Sequence, residues 1–197
     1  GAVHYAEAGH NVIYITASEF DSLPPPLLGL AKPTPDVFAL IKFLYLPSWQ
    51  DLLQYLFHLH VHTLIPTVLI VEALEHFFTS PDRDESRGEA SHAALICASL
   101  LDGVAVCAKR SKSQAHLVVS LNEQKTHSMF SPLIDIFFTD MVWLFQKDKD
   151  SEGNSSNYCM INLETSLSQT KQHKIFYKCQ TEDGAVVLTK VSFWEKL

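Results

Sequence analysis

The chain contains no G-x-x-x-x-G-K-[ST] segment, so the loop whose backbone amides cradle nucleotide phosphates is not part of it. It also lacks G-x-S-x-G and any Cys or Ser spaced with a His and an acid, which leaves nucleophilic catalysis without a motif. Cysteine is sparse: Cys97, Cys107, Cys159 and Cys179 form no C-x-x-C pair and no dense framework. They read as reduced thiols of a cytosolic or nuclear protein, and a disulfide-stapled secreted domain is disfavoured. The longest apolar stretches, such as the one around residues 68–71, fall well short of the roughly 18 residues a membrane span requires. No signal-peptide pattern is present, and because the chain opens on Gly1 the natural start is expected upstream or processed away. Positive charge is short as well, with 15 Lys and Arg against 22 Asp and Glu and a formal net charge of -7. A nucleic-acid affinity spread over the whole surface is thereby disfavoured, and any DNA contact must be local.

What is present suits one globular domain over residues 1–197, with 47% apolar and 19% charged residues. Residues 2–8, closed by Gly9, read as a helix end, followed by a strand over 11–16. The proline-rich stretch 22–35 reads as a surface loop, too short to separate two domains. A strand is expected over 41–46, then Ser48 as a cap with Asp51 three residues on. Leu52, Leu53, Leu56 and Leu59, with Val61 as a candidate extension, supply that helix's apolar stripe. A buried strand over 67–72, a solvated charged loop over 80–89 and a helix over 90–110 follow. Another buried strand is expected over 116–121, and this alternation predicts an α/β fold with a mainly parallel sheet covered on both faces. Beyond Asn122 a short helix over 133–138 and strands over 141–145, 158–164, 175–180 and 185–193 are expected, the last two joined as an antiparallel hairpin at 182–184.

The stretch 67–75 concentrates the functional signal, because Glu72 sits where a buried apolar strand ends. In nucleotide-binding α/β folds a carboxylate at that place holds the water shell of Mg²⁺ beside bound phosphates, the Walker B role. The plainer reading is a charge at the exposed tip of a buried strand. Glu75, one helical turn on, reads first as a solvated loop residue and second as a further carboxylate of the site. His58 and His62 form an i, i+4 pair, with His60 and His76 nearby, but no intervening glutamate or cysteine accompanies them. They read as ordinary helix surface, and no metal site is expected in this chain.

Asn11-Val-Ile-Tyr-Ile-Thr16, Ile41-Lys-Phe-Leu-Tyr-Leu-Pro-Ser48, the stretch 67–78, and Leu117-Val-Val-Ser-Leu-Asn-Glu-Gln124 resemble the SWIM-domain-associated RecA-type recombinase paralogues, the ATPase-like subunits of the animal Shu complex. The resemblance runs over most of the chain on short hydrophobic motifs. It implies a RecA-like P-loop-type core, N-terminally incomplete here, in a nuclear protein of homologous recombination and DNA repair. It implies a heterodimer with a zinc-binding SWIM-domain protein, contact with single-stranded DNA, and promotion or stabilisation of recombinase filaments. The family's DNA-stimulated ATPase activity is expected to be absent from this chain alone. ATP and Mg²⁺ would bind only with a phosphate loop upstream of Gly1, and the usual Walker B aspartate is replaced by Glu72.

Carried over residue by residue, Glu72 and Gln124 take the Walker B and sensor positions, vestigial or incomplete, and Glu72, Glu75 and Asn122 the nucleotide side of the site. Asn122 and Gln124 read equally as a polar cluster at a strand end. The segment around Lys125 and Phe130 occupies the place of the first DNA-contacting loop, where a lysine meets phosphate and an aromatic stacks on a base. Its plainer reading is a surface loop with one buried aromatic. Lys109, Arg110 and Lys112 form a denser basic patch that also offsets a helix dipole, and Lys171 and Lys174 form another with His173. The Phe-x-x-Ala motif used by RecA-type proteins to polymerise is absent, which favours a heterodimer, with Trp143, Phe193 and Trp194 as candidate contacts or simple packing. Two further readings stay open: an intact hydrolase whose P-loop lies upstream, and a scaffold that touches no DNA.

Overall fold

The computed structural model describes residues 1–20, 33–79, 88–122, 131–138, 142–147, 155–163, 173–182 and 185–195, with the last three strands described by their backbone. Two compact units emerge, the first built on Gly1–Asp21 and Pro33–Phe137 and the second on Phe138–Leu197.

The first unit begins with helix α1 (Ala2–Glu7), which stops at Gly9, whose φ of 84° only glycine adopts without penalty. Strand β1 (Val12–Thr16) follows, then α2 (Pro35–Ala39) and β2 (Ile41–Tyr45). Helix α3 (Trp49–His58) starts at Ser48, whose Oγ accepts from the Asp51 amide at 3.1 Å and donates to Asp51 Oδ2 at 2.5 Å. Strand β3 (Val68–Val71) leads into the one-turn helix α4 (Glu75–Phe78). The long helix α5 (Glu89–Ser111) and strand β4 (His116–Val119) come next, and α6 (Ser131–Phe137) ends the unit.

The four strands form one sheet in the order β2-β1-β3-β4, and every pairing is parallel. The expected α/β class with a parallel sheet is therefore what this unit has. Strand pleating sends alternate side chains to opposite faces. Val12, Val68 and Ile70 point one way and pack with Ala2, Tyr5 and Ala6 of α1 and with Val37 and Leu40 around α2. Ile13, Ile15, Leu69 and Val71 point the other way and are equally buried. That second core is completed by Leu52, Leu53 and Leu56 of α3, Phe77 and Phe78 of α4, and Ile96, Cys97 and Leu100 of α5. Gly103 lies where α5 runs tight against α3, because a Cβ there would lie 3.1 Å from side-chain carbons of both Leu56 and Leu59.

Against the expectation that no stretch reaches the length of a membrane span, helix α5 is long and apolar enough to cross a membrane by length and composition. Its apolar residues have another use, since Ala93, Ile96, Cys97, Leu100 and Cys107 are buried in the protein core.

Several expectations need correction. Strand β4 is half-buried at all four positions, because it lies at the sheet edge with β3 on one side only. Val61 does not extend the stripe of α3: the helix has ended, and Val61 is 62% exposed. Helix α2 begins at Pro35, where the loop reading had its last residue, since Pro is tolerated in a helix's first turn. Most of the proline-rich stretch (residues 21–32) and of the charged loop (80–87) lies outside the described residues.

The second unit holds β5 (Val142–Lys147), β6 (Ser155–Leu163), β7 (His173–Glu182) and β8 (Ala185–Glu195). They form a separate four-stranded antiparallel sheet in sequential order. Its register sets Cys159 opposite Phe176 and Cys179 opposite Ser156, so these two cysteines are not cross-strand partners. The side chains of Trp143, Phe193 and Trp194 lie outside the described set.

Candidate functional site

Strands β1 and β3 are spatial neighbours, yet the chain leaves them in opposite directions, from β1 to β2 on one side and from β3 to β4 on the other. In parallel α/β sheets such a switch point opens a crevice beyond the strands' C-terminal ends, which is where ligands bind. Here that crevice is bordered by Thr16 and its successors on one side and by Glu72, Ala73 and Leu74 on the other.

Each border is held by specific bonds. The Glu72 amide donates to the Ile15 carbonyl at 2.9 Å, which carries the β1–β3 ladder one residue past β3. Ala73 then adopts φ 52°, a left-handed conformation costly for a residue with a Cβ. Ser120, just after β4, holds that turn twice: its Oγ accepts from the Ala73 amide at 3.0 Å and its carbonyl from the Leu74 amide at 2.9 Å. The Glu72 side chain lies on the same sheet face as Tyr14, and its charge acts on the Tyr14 hydroxyl. Burial first, then the Glu72 charge, push Tyr14 from 10.0 up to about 12. The Tyr14 ring is packed against Phe43 and Phe20, with centroids 5.4 and 5.9 Å away.

Glu75 is not the solvated loop residue expected. It opens α4, is 6% exposed, and its Oε2 accepts from the Asn122 amide at 3.1 Å. A buried carboxylate costs stability unless bonded, and the Asn122 amide supplies a partner. Glu72, Glu75 and Asn122 are thus brought to the same C-terminal edge of the sheet. Gln124, Lys125, Phe130 and Lys171 lie outside the described residues.

Magnesium keeps most of its water and asks for one or two carboxylates beside the substrate phosphates. Glu72, half-buried, offers one carboxylate for such a water-mediated contact, whereas Glu75 is buried and bonded to the chain. No group of three or more His, Cys, Asp or Glu able to hold a metal exists among the described residues. Among the described residues this donor set does not make a protein cage.

The basic residues Lys109, Arg110 and Lys112 sit elsewhere. Helix α5 runs back from the C-terminal edge to the start of β4, so its end lies at the N-terminal edge of the sheet. The length of a four-residue strand, about 13 Å, separates this cluster from the edge that carries Glu72 and Asn122. Arg110 also braces the fold, because its Nη1 donates to the Leu59 and His62 carbonyls, both at 2.7 Å, and so ties the end of α5 to the segment after α3. Lys109 and Lys112 are exposed, and Lys112 caps α5 in a left-handed conformation.

The histidine pair does not share a helix face, because α3 ends at His58. His58 Nδ1 lies 2.6 Å from the Gln54 carbonyl and His60 Nδ1 2.6 Å from the Phe57 carbonyl, while the His62 ring packs on Tyr55. Sequence reasoning missed Ser120, which fixes the turn after Glu72, and Tyr14, which shares a sheet face with Glu72. Only a cross-strand register identifies them, and a single sequence does not display one. No protein-family model matches this chain, and no curated protein matches it.

Proposed function

We propose that this protein is the recombinase-paralogue subunit of a nuclear homologous-recombination repair complex. In this reading it has a RecA-like core, pairs with a zinc-binding SWIM-domain protein, contacts single-stranded DNA, and promotes or stabilises recombinase filaments. The observation that supports it best is the carboxylate of Glu72 at the switch-point crevice of an all-parallel sheet, with Asn122 leaving the neighbouring strand end. The resemblance of the four strand-bearing motifs supplies the biological class.

On this reading the segment after Asn122, with Gln124, Lys125 and Phe130, carries the DNA contact. Glu72 is the residue that would touch the water shell of Mg²⁺ if a phosphate loop from upstream completed the site. This chain has no such loop, so catalysis by it alone is not expected.

The test is fluorescence anisotropy of labelled single-stranded DNA at two salt concentrations, with the chain alone and mixed with a purified SWIM-domain partner. Salt-sensitive binding that tightens with the partner and weakens with Lys125→Glu is expected. Absence of binding in both states at low salt overturns the DNA assignment and leaves a scaffold.

The half-buried Glu72 carboxylate at the crevice favours one second reading, in which a longer form of the protein binds nucleotide through Glu72. In that case nucleotide protects the longer form from heat and Glu72→Gln removes the protection. Equal protection of wild type and variant rejects it.

A further inference from the structure

We infer that His10 and His116 form a two-histidine site for a divalent cation of the zinc and copper class. His10 stands just before β1 and His116 opens β4, so the pair lies at the N-terminal edge of the parallel sheet, opposite the edge that carries Glu72. The inference does not rest on the recombination reading and involves neither nucleotide nor DNA.

Backbone bonds hold the two imidazoles together. The His10 amide donates to the Tyr5 carbonyl at 3.0 Å, the Thr67 amide to the Asn11 carbonyl at 3.0 Å, and the His116 amide to the Thr67 carbonyl at 2.8 Å. The starts of β1, β3 and β4 are thereby stapled side by side, although the two histidines are far apart in the sequence. His10 Nδ1 lies 3.1 Å from Thr67 Oγ1. With Nδ1–H donating to that oxygen, Nε2 keeps the lone pair that a metal takes, as an outer hydrogen bond fixes the tautomer of a ligating histidine. The His116 ring makes no hydrogen bond among the described residues, so its nitrogens are available and the ring can turn. Both histidines are half-buried, and the Tyr5 ring packs against the two with centroids 5.9 and 5.8 Å away.

The spacing suits one shared ion. A metal about 2.0–2.1 Å from an imidazole nitrogen is about 3.2 Å from the ring centre, so two rings on one ion have centres about 5.2 Å apart at a tetrahedral angle and about 5.7 Å apart near 125°. The His10 and His116 centroids are 5.7 Å apart. Imidazole lone pairs lie in the ring plane, so a shared ion must lie in both planes, and these two planes cross at 88°. His58 and His60 are the contrast: their rings are stacked at 17° with centroids 6.5 Å apart, and planes so nearly parallel do not converge on one ion. Among the described residues no third His, Cys, Asp or Glu joins His10 and His116, so water completes the shell. Nitrogen donors of this kind select Zn²⁺, Cu²⁺ or Ni²⁺ over Mg²⁺ and Ca²⁺, which take oxygen. The ion would tie the chain segment that leaves α1 to the start of β4.

The test titrates the full chain with CuCl₂ and reads electron paramagnetic resonance, where the nitrogen splitting of one bound Cu²⁺ should report two imidazoles. His10→Gln and His116→Gln should each weaken binding by at least about tenfold and reduce the splitting to that of one imidazole. Thr67→Val leaves both ligands in place and should weaken binding by about tenfold through loss of the orienting bond. ZnCl₂ should raise the melting midpoint of the wild type and of neither His→Gln variant, and MgCl₂ should change none of them. If a His→Gln variant fails to fold by circular dichroism, proton NMR of the wild type with substoichiometric CuCl₂ carries the test. The ring signals of His10 and His116 should then broaden first, and earlier broadening of any other histidine overturns the inference. A spectrum with one nitrogen or none, or binding that survives both His→Gln variants, overturns it as well. So does binding lost only in the double variant His58→Gln with His60→Gln, which assigns an adventitious ion to the exposed pair.

Discussion

Tyr14 shows how burial beside a carboxylate sets a pH dependence. The folded protein holds the Tyr14 proton more tightly than the unfolded chain, with a value of about 12 against 10.0. Tyr55 is raised to about 12 as well, by burial and then by the Cys107 charge. Both groups are raised, so their stabilising contribution is full below pH 10 and is lost as pH climbs through 12. A tyrosinate absorbance titration should accordingly show Tyr14 and Tyr55 titrating late, and Tyr14→Phe should remove one late-titrating group. That variant removes only the hydroxyl and keeps the ring against Phe43 and Phe20, so it should cost no more than about 1 kcal/mol. Arg110 is the other residue whose removal should be felt. Arg110→Ala leaves the Leu59 and His62 carbonyls without their donor and should cost about 2–3 kcal/mol in a denaturant titration. Arg110→Lys keeps the charge without the planar fork and should recover only part of it.

Among the elements, β1, β3, α3 and α5 were legible in the sequence, and each for a physical reason. Runs such as Val12-Ile13-Tyr14-Ile15 and Val68-Leu69-Ile70-Val71 are buried on both faces, which is why they are uniformly apolar. Ser48 with Asp51 announced the start of α3, and the same two residues make the cap. Helices α2 and α4 were not legible: they have five and four residues, too few for an apolar period to register. The burial of Glu75 was hidden because its partner amide belongs to Asn122, far along the chain. The contact between α3 and α5 gives the test at this scale. Gly103→Ala gains about 1 kcal/mol of helix propensity, which offsets most of the crowding against Leu56 and Leu59. Gly103→Val adds two more carbons to the same gap and should destabilise by about 2 kcal/mol, read as a lowered denaturation midpoint at unchanged slope.

For the molecule as a whole, the buried thiols of Cys97 and Cys107 report on global opening. Burial pushes them up to about 12 and about 11, so neither is a thiolate at neutral pH in the folded state. A thiol reagent should leave both untouched in native buffer and label them only at the rate at which the core of the first unit opens. Labelling as fast as that of the unfolded chain would contradict their burial. The order β2-β1-β3-β4 also has a kinetic side. The central pair β1 and β3 can form only after the whole of β2 and α3 has been looped out, and each parallel pairing in this sheet is separated by a crossover. The antiparallel sheet of Val142–Lys147 to Ala185–Glu195 joins sequence neighbours at every step. Loop closure must precede the reward in the first case and is local in the second, so the two units are expected to acquire structure at different speeds. During that interval the apolar strands that will become the centre of the parallel sheet present unpaired edges, and refolding yield should fall as protein concentration rises.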